Sequence, residues 1–200
     1  VVCDSIKLLW GQDYYTEKLL GLSFKVSAFS FFQTNVEAVE RLYSEALALI
    51  DRLEGKTVFD LYCGTGTISQ IMALKTKNVI GIELVEEAVA AAKENARLNG
   101  LDNCHFIAGD VFKVLNDMEE KPDVIVVDPP RAGIQSKALD KILDYGVSQI
   151  VYISCNPKTM ADNIKYMEYY GYRCVYLKPF DNFPFTKHVE CIGLLSRTEK

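Results

Sequence analysis

At 200 residues, 49% of them hydrophobic, the chain is long and apolar enough to bury a sizeable core, which argues for one domain and against disorder. A formal net charge of −5 offers no global basic field for nucleic acid, though it leaves room for a local patch, and no apolar run approaches membrane-spanning length. Six cysteines (Cys3, Cys63, Cys104, Cys155, Cys174, Cys191) without a Cys-x-x-Cys pair, and only two histidines, speak against a metal site or a disulfide scaffold inside this stretch; free thiols in a reducing cytoplasm are expected.

The first residue is Val1, not Met, so a portion of a longer protein is expected. Ser5 to Trp10, Tyr14 to Leu19 and Leu22 to Phe29 read as short strands of a β meander, split by Gly11-Gln12-Asp13 and by Gly21. Phe31-Phe32-Gln33-Thr34-Asn35 leads into a helix with Asn35 as N-cap. Val36, Val39, Leu42, Tyr43, Ala46, Ile50 and Leu53 make one apolar face, and Gly55 ends it.

From Lys56 strands and helices alternate. The strands are Thr57 to Tyr62, Asn78 to Glu83, Cys104 to Ala108, Val124 to Asp128 and Gln149 to Ser154. The helices between and after them are Ile68 to Lys75, Val85 to Leu98, Val111 to Leu115, Ser136 to Tyr145 and Lys158 to Tyr169. Tyr172 to Leu177 and His188 to Leu195 follow with no helix between them and predict an antiparallel pair at one edge. Continuous apolar runs such as Val124-Ile125-Val126-Val127 suit parallel strands covered on both faces. The pattern predicts an α/β doubly wound sheet with its ligand at the carboxyl ends of the strands.

Those ends carry the candidate residues. Asp60-Leu61-Tyr62-Cys63-Gly64-Thr65-Gly66-Thr67 is a strand-to-helix turn whose glycines allow close backbone approach to a ligand; Ser69 stands where a dinucleotide fingerprint has its third glycine, which weakens an NAD reading. Glu83, closing the next strand, can accept both hydroxyls of a ribose. Asp110 can accept from an adenine amino group, or simply cap the helix at Val111. Asp128-Pro129-Pro130-Arg131 is a rigid, acceptor-rich ledge. In Ser154-Cys155-Asn156-Pro157, Asn156 caps a helix with Pro157 in its first turn. Cys155 then lies just outside the helix's positive end, which favours its thiolate. Of the other cysteines only Cys63 competes. Glu190 or His188 can serve as a base.

Taken together, Phe31 to Asn35, Asp60 to Thr67, Asp128 to Arg131, Ser154 to Pro157 and His188-Val189-Glu190 resemble, in order and spacing, the RNA 5-methyluridine methyltransferases. These S-adenosylmethionine-dependent enzymes methylate uracil C5 in transfer and ribosomal RNA. The resemblance covers nearly the whole chain. It implies a Rossmann-like class I methyltransferase fold: a mostly parallel seven-stranded sheet with an antiparallel edge strand, preceded by a short β-rich segment. Residues 1–34 would be the end of a truncated central domain and 35–200 the catalytic domain.

By the same resemblance Cys155 is the nucleophile and Glu190 the base. Gln33, Tyr62, Gly64, Thr67, Glu83, Asp110 and Asp128 hold S-adenosylmethionine and its product S-adenosylhomocysteine, and Asp128, Arg131 and Gln33 face the RNA base. Thr67 stands where some relatives carry Asn, and Asp110 where some carry an amide. An upstream RNA-binding domain is expected, some members hold an iron–sulfur cluster through cysteines further upstream, and a monomer is expected. Two other readings compete: an amino-group methyltransferase acting on adenine or guanine, which needs no nucleophilic Cys, and a non-catalytic RNA-binding module that keeps the cofactor pocket.

Overall fold

A computed structural model of the chain describes residues 7–27 and 30–198. The strands are β1 (Tyr14–Leu19), β2 (Leu22–Ser27), β3 (Thr57–Leu61), β4 (Asn78–Glu83), β5 (Cys104–Ala108), β6 (Val124–Val127), β7 (Gln149–Ser154), β8 (Tyr172–Phe180) and β9 (Glu190–Arg197). The helices are α1 (Val36–Ala48), α2 (Thr67–Ala73), α3 (Glu86–Leu98), α4 (Val111–Asp117), α5 (Ser136–Asp144) and α6 (Pro157–Tyr169). No helix among the described residues is long and apolar enough to cross a membrane.

Seven strands form one sheet in the order β5-β4-β3-β6-β7-β9-β8. Neighbours from β5 to β7 are parallel, whereas β9 runs antiparallel to both β7 and β8. The chain crosses over to the rim as β8 and returns inward as β9. This insertion brings the start of β9 against the end of β7 and so positions the site described below.

Alternate strand residues feed opposite faces, as a two-residue side-chain period requires. Val58, Val79, Val126 and Ile153 pack with α1, α2 and α3; Phe59, Ile80, Ile125 and Tyr152 pack with α4, α5 and α6. All four residues of β6 are 0% exposed, as its unbroken apolar run predicts.

β1 and β2 form a separate hairpin. Its free β2 edge is met by two carboxamides one turn apart on α3. Asn95 accepts from Lys25 N and donates to Lys25 O, and Asn99 does the same for Ser23. The side chains thus replace a missing ladder partner and satisfy backbone groups that would otherwise be lost on packing.

Two expectations differ from the structure. The strand expected over Ser5 to Trp10 begins outside the described residues, and Lys7 to Trp10 form no strand; Leu9 and Trp10 are 85% and 93% exposed, and among the described residues β1 pairs only with β2. The first helix closes at Ala48, not near Leu53. Arg52 takes φ +49, yet Ile50 and Leu53 stay buried because the turn after α1 still packs on the same core. That packing prolonged the apolar period past the real helix end.

Gly66 at the head of α2 has φ +73, and a Cβ there would sit 2.5 Å from the Phe106 ring and 2.9 Å from Ala92. Only glycine lets β3 turn into α2 this close to β5 and α3.

Candidate active site

The β7–β9 register pairs Ser154 with Cys191. One step further along, where β7 has ended and β9 begins, Cys155 and Glu190 come side by side at the carboxyl edge of the sheet. Asp128, directly after β6, stands on the adjoining strand end. Glu190 is only 4% exposed, while Cys155 and Asp128 are half-buried.

This crowding sets the electrostatics. Burial holds the Asp128 carboxyl well above the usual carboxylate range, and the neighbouring Glu190 and Asp60 carboxylates add to it. Burial raises Glu190 as well, opposed by the Arg131 guanidinium. Like charges near one another disfavour ionisation of each, which adds to the effect of burial at Asp128. Burial is also the main influence on the Cys155 thiol and raises it; Glu190 and Asp128 push it further up, and the Arg131 guanidinium pulls it down. The helix terminus alone predicts a favoured thiolate. Loss of water and two nearby carboxylates act against that preference. Arg131 is the cation that works against them.

Each motif loop is stapled to its neighbour. Asn156 caps α6 by accepting from Lys158 N and donates its Nδ2 to Arg131 O at 2.8 Å, while Thr159 donates to the same carbonyl. Asn163, further along α6, accepts from Ile134 N and from the Tyr152 hydroxyl, both at 2.8 Å, and donates to Ile134 O. The loop after Asp128 is therefore clamped onto the helix that follows Cys155. The Arg131 guanidinium meets His188 Nδ1 at 2.7 Å, joining this loop to the one before β9. That contact occupies one ring nitrogen of His188.

The glycine turn after β3 holds the second half of the site. Tyr62, a non-glycine residue, takes φ +65, a conformation that persists only where surrounding contacts enforce it. Its N–H and that of Cys63 both donate to Ile82 O. Burial chiefly pushes the Tyr62 phenol up to about 12, with Asp110 contributing. Glu83 accepts from Gly64 N through one oxygen at 3.1 Å and from Val85 N through the other at 3.0 Å. Each oxygen keeps a lone pair for a ligand hydroxyl. A Cβ on Gly64 would meet nothing within 4 Å, so the turn leaves open space there. Thr67 begins α2. Asp110 accepts from Lys113 N as the cap of α4, its plainer reading. Gln33 faces the buried Tyr43 phenol, which also feels Asp128, Asp60 and Glu190.

Two of these groups escape sequence reasoning. Asp60 is 0% exposed; one carboxylate oxygen accepts from Ser69 Oγ and the other has no partner. Its place at the head of the glycine turn was the available signal. Tyr43 looks like any core residue of an amphipathic helix. Cys63, the rival thiol, is buried and pushed well up, with the Asp60 and Glu83 carboxylates adding to the effect of burial. Among the described residues, no group of three or more His, Cys, Asp or Glu side chains is placed to hold a metal. A surface hollow of about 870 Å³ between α1 and β8 contains none of the site residues.

Burial raises the Asp60 carboxyl from 3.8 to about 7, despite the Ser69 hydrogen bond. The folded state therefore keeps a proton that the unfolded chain releases, and stability falls as pH rises toward 7. Between about pH 5 and about pH 8 this one group costs the protein about 3 kcal/mol at most. Urea unfolding at both pH values should show a smaller loss in Asp60→Asn than in the parent; equal losses would show that Asp60 does not titrate in this window.

A carboxylate with two free lone pairs beside an open glycine turn suits a ligand that carries a ribose diol. Comparison with known proteins agrees. Residues 3–198 match the family described as tRNA (Uracil-5-)-methyltransferase. The chain is 53% identical over 194 residues to an uncharacterized RNA methyltransferase of Clostridium acetobutylicum, covering 97% of this chain and 42% of that protein. It is 52% identical over 198 residues to one of Caldanaerobacter subterraneus, covering 99% and 44%. Among solved structures it is similar to the Pyrococcus abyssi tRNA (uracil-54, C5)-methyltransferase in complex with S-adenosyl-L-homocysteine. That similarity has 32% identity and a TM-score of 0.82, over 93% of this chain and 45% of that one. The chain thus spans less than half the length of these relatives.

Proposed function

The chain belongs to the tRNA (uracil-5-)-methyltransferase family, and from that premise we propose that it is the catalytic part of an RNA methyltransferase that transfers a methyl group from S-adenosylmethionine to C5 of a uridine. The observation that carries this reading is the nearness of a half-buried thiol, Cys155, to a buried carboxylate, Glu190, at the carboxyl edge of the sheet. An amino-group methyltransferase has no use for that pair.

Glu83 takes the ribose hydroxyls of the cofactor. Tyr62, Gly64, Thr67 and Asp110 line the same turn and strand end. When bound, S-adenosylmethionine supplies an electrophilic methyl group on a sulfonium.

Uracil C5 is a weak nucleophile, and Cys155 remedies this. Its sulfur adds to C6, forming an S–C6 bond and moving the electron pair of the C5=C6 bond onto C5 and the adjoining carbonyl. Arg131 stabilises the thiolate required for that attack, and Asp128 and Gln33 orient the base. Once C5 carries the new methyl group, Glu190 takes the remaining C5 proton. The electron pair then re-forms the C5=C6 bond and expels the Cys155 thiolate. A uridine reaches this edge only after leaving its stack, at a cost of a few kcal/mol, smallest in a loop that is already open.

Calorimetry on the full-length protein tests the cofactor half. S-adenosylhomocysteine should bind and NAD should give no heat, and Glu83→Ala should weaken the former about tenfold or more through loss of charge-assisted hydrogen bonds. Binding of NAD without S-adenosylhomocysteine would overturn the reading.

A further inference from the structure

The loop between β8 and β9 carries a residue that the scheme above does not use. Phe185 is 108% exposed and takes φ +65, so an aromatic ring is held wholly in water on a left-handed backbone that side chains rarely adopt. The left-handed backbone belongs to the turn from Phe183 to Thr186, but folding gains nothing from the exposed ring. The loop around it is firmly braced: Thr186 N and Oγ1 both donate to Phe183 O, and His188 N donates to Thr186 Oγ1. The Phe183 and His188 rings meet edge to face at 6.5 Å. At its start, Asn35 donates to Asn182 O; at its end, Glu190 pairs with Phe180 across the strands. Backbone strain kept in a braced loop beside a reactive centre points to a function for the residue it displays.

We propose that Phe185 is a stacking platform for the nucleotide next to the uridine that enters the site. The inference rests on the RNA uracil-C5 reading and adds a substrate contact to it. A base flipped toward Cys155 leaves its neighbour with an uncovered face, and an aromatic ring at the rim of the site covers it whatever the neighbour's identity. The surroundings favour nucleic acid over an apolar protein partner. Lys187, two residues on, is exposed, and the exposed Arg131 guanidinium meets the next residue, His188, so that two cations suited to flanking phosphates stand on one side of the ring in a chain of net charge −5. A phenyl ring has no hydrogen-bonding group, so it supplies affinity without reading sequence.

The test uses full-length protein and transfer and ribosomal RNA transcripts in which 5-fluorouridine replaces uridine. Covalent adduct formation is followed against RNA concentration. Phe185→Gly suits the left-handed backbone and should keep the parent melting temperature and S-adenosylhomocysteine affinity, while the half-saturating RNA concentration rises about tenfold, the effect of losing one stacked base. Phe185→Leu should behave like Phe185→Gly, and Phe185→Trp should restore the parent value. If the parent forms the adduct and the Gly and Leu variants match it at every RNA concentration, the platform is refuted and the uracil reading stands. If the parent forms no adduct with either RNA, the uracil reading falls and the platform falls with it.

Discussion

Cys155→Ala is expected to abolish methyl transfer, with the rate falling about 10⁴-fold or more, the scale seen when a covalent nucleophile is removed. The loss is expected to be specific. Cys155 is half-buried at a strand end, so the shorter side chain leaves at most a small defect, about 1 kcal/mol, and cofactor binding on the glycine turn is untouched. Cys155→Ser should be nearly as inactive, because a hydroxyl beside Glu190 and Asp128 is even harder to ionise than the thiol they already push up. Incorporation of labelled methyl into RNA measures both. Retention of the parent rate by Cys155→Ala would remove the covalent step and favour amino-group transfer.

Glu190→Gln should give the second large effect, of a different kind. The first half of the reaction needs only the thiolate and the methyl donor, whereas the second needs a base for the C5 proton. The variant should form the S–C6 adduct and stall there, leaving a protein–RNA species that survives denaturing electrophoresis while turnover falls by about 10²-fold or more. Glutamine keeps the shape of the buried side chain and removes its ionisation. Since burial raises Glu190, the native carboxyl loses its proton only at higher pH than an exposed one, at a cost in stability. Glu190→Gln should therefore be no less stable than the parent at neutral pH, and its folding stability should fall less as pH rises. Full turnover by this variant would move the base role elsewhere.

Much of this site was legible in the sequence because its residues lie at strand ends, and strand ends follow from periodicity. The run from Val124 to Val127 could be placed as a central strand, so Asp128 had to fall at the carboxyl edge. The alternation from Thr57 to Ser154 fixed the same edge for Glu83 and Cys155. Glu190 was reached less directly: its nearness to Cys155 depends on β9 slotting between β7 and β8, which periodicity does not specify and which entered through the family resemblance. What stayed hidden depends on distant packing. Asp60 reads as one residue of a glycine turn until burial leaves one oxygen without a partner. The full surroundings of Cys155 were not readable from local grammar, since the helix cap is visible in sequence while the carboxylates that oppose it come from other strands. The first helix was overextended for the same reason, with Ile50 and Leu53 buried by the fold after the helix had closed.

Mass spectrometry of a denatured, digested complex between full-length protein, S-adenosylmethionine and 5-fluorouridine RNA tests the covalent claim most directly. Fluorine at C5 leaves Glu190 no proton to remove, so the reaction stops with sulfur still bonded to C6. The account predicts that the peptide containing Cys155, and no other cysteine peptide, carries a methylated fluorouridine nucleotide. An unmodified Cys155 peptide in a preparation whose RNA has gained methyl groups would contradict it.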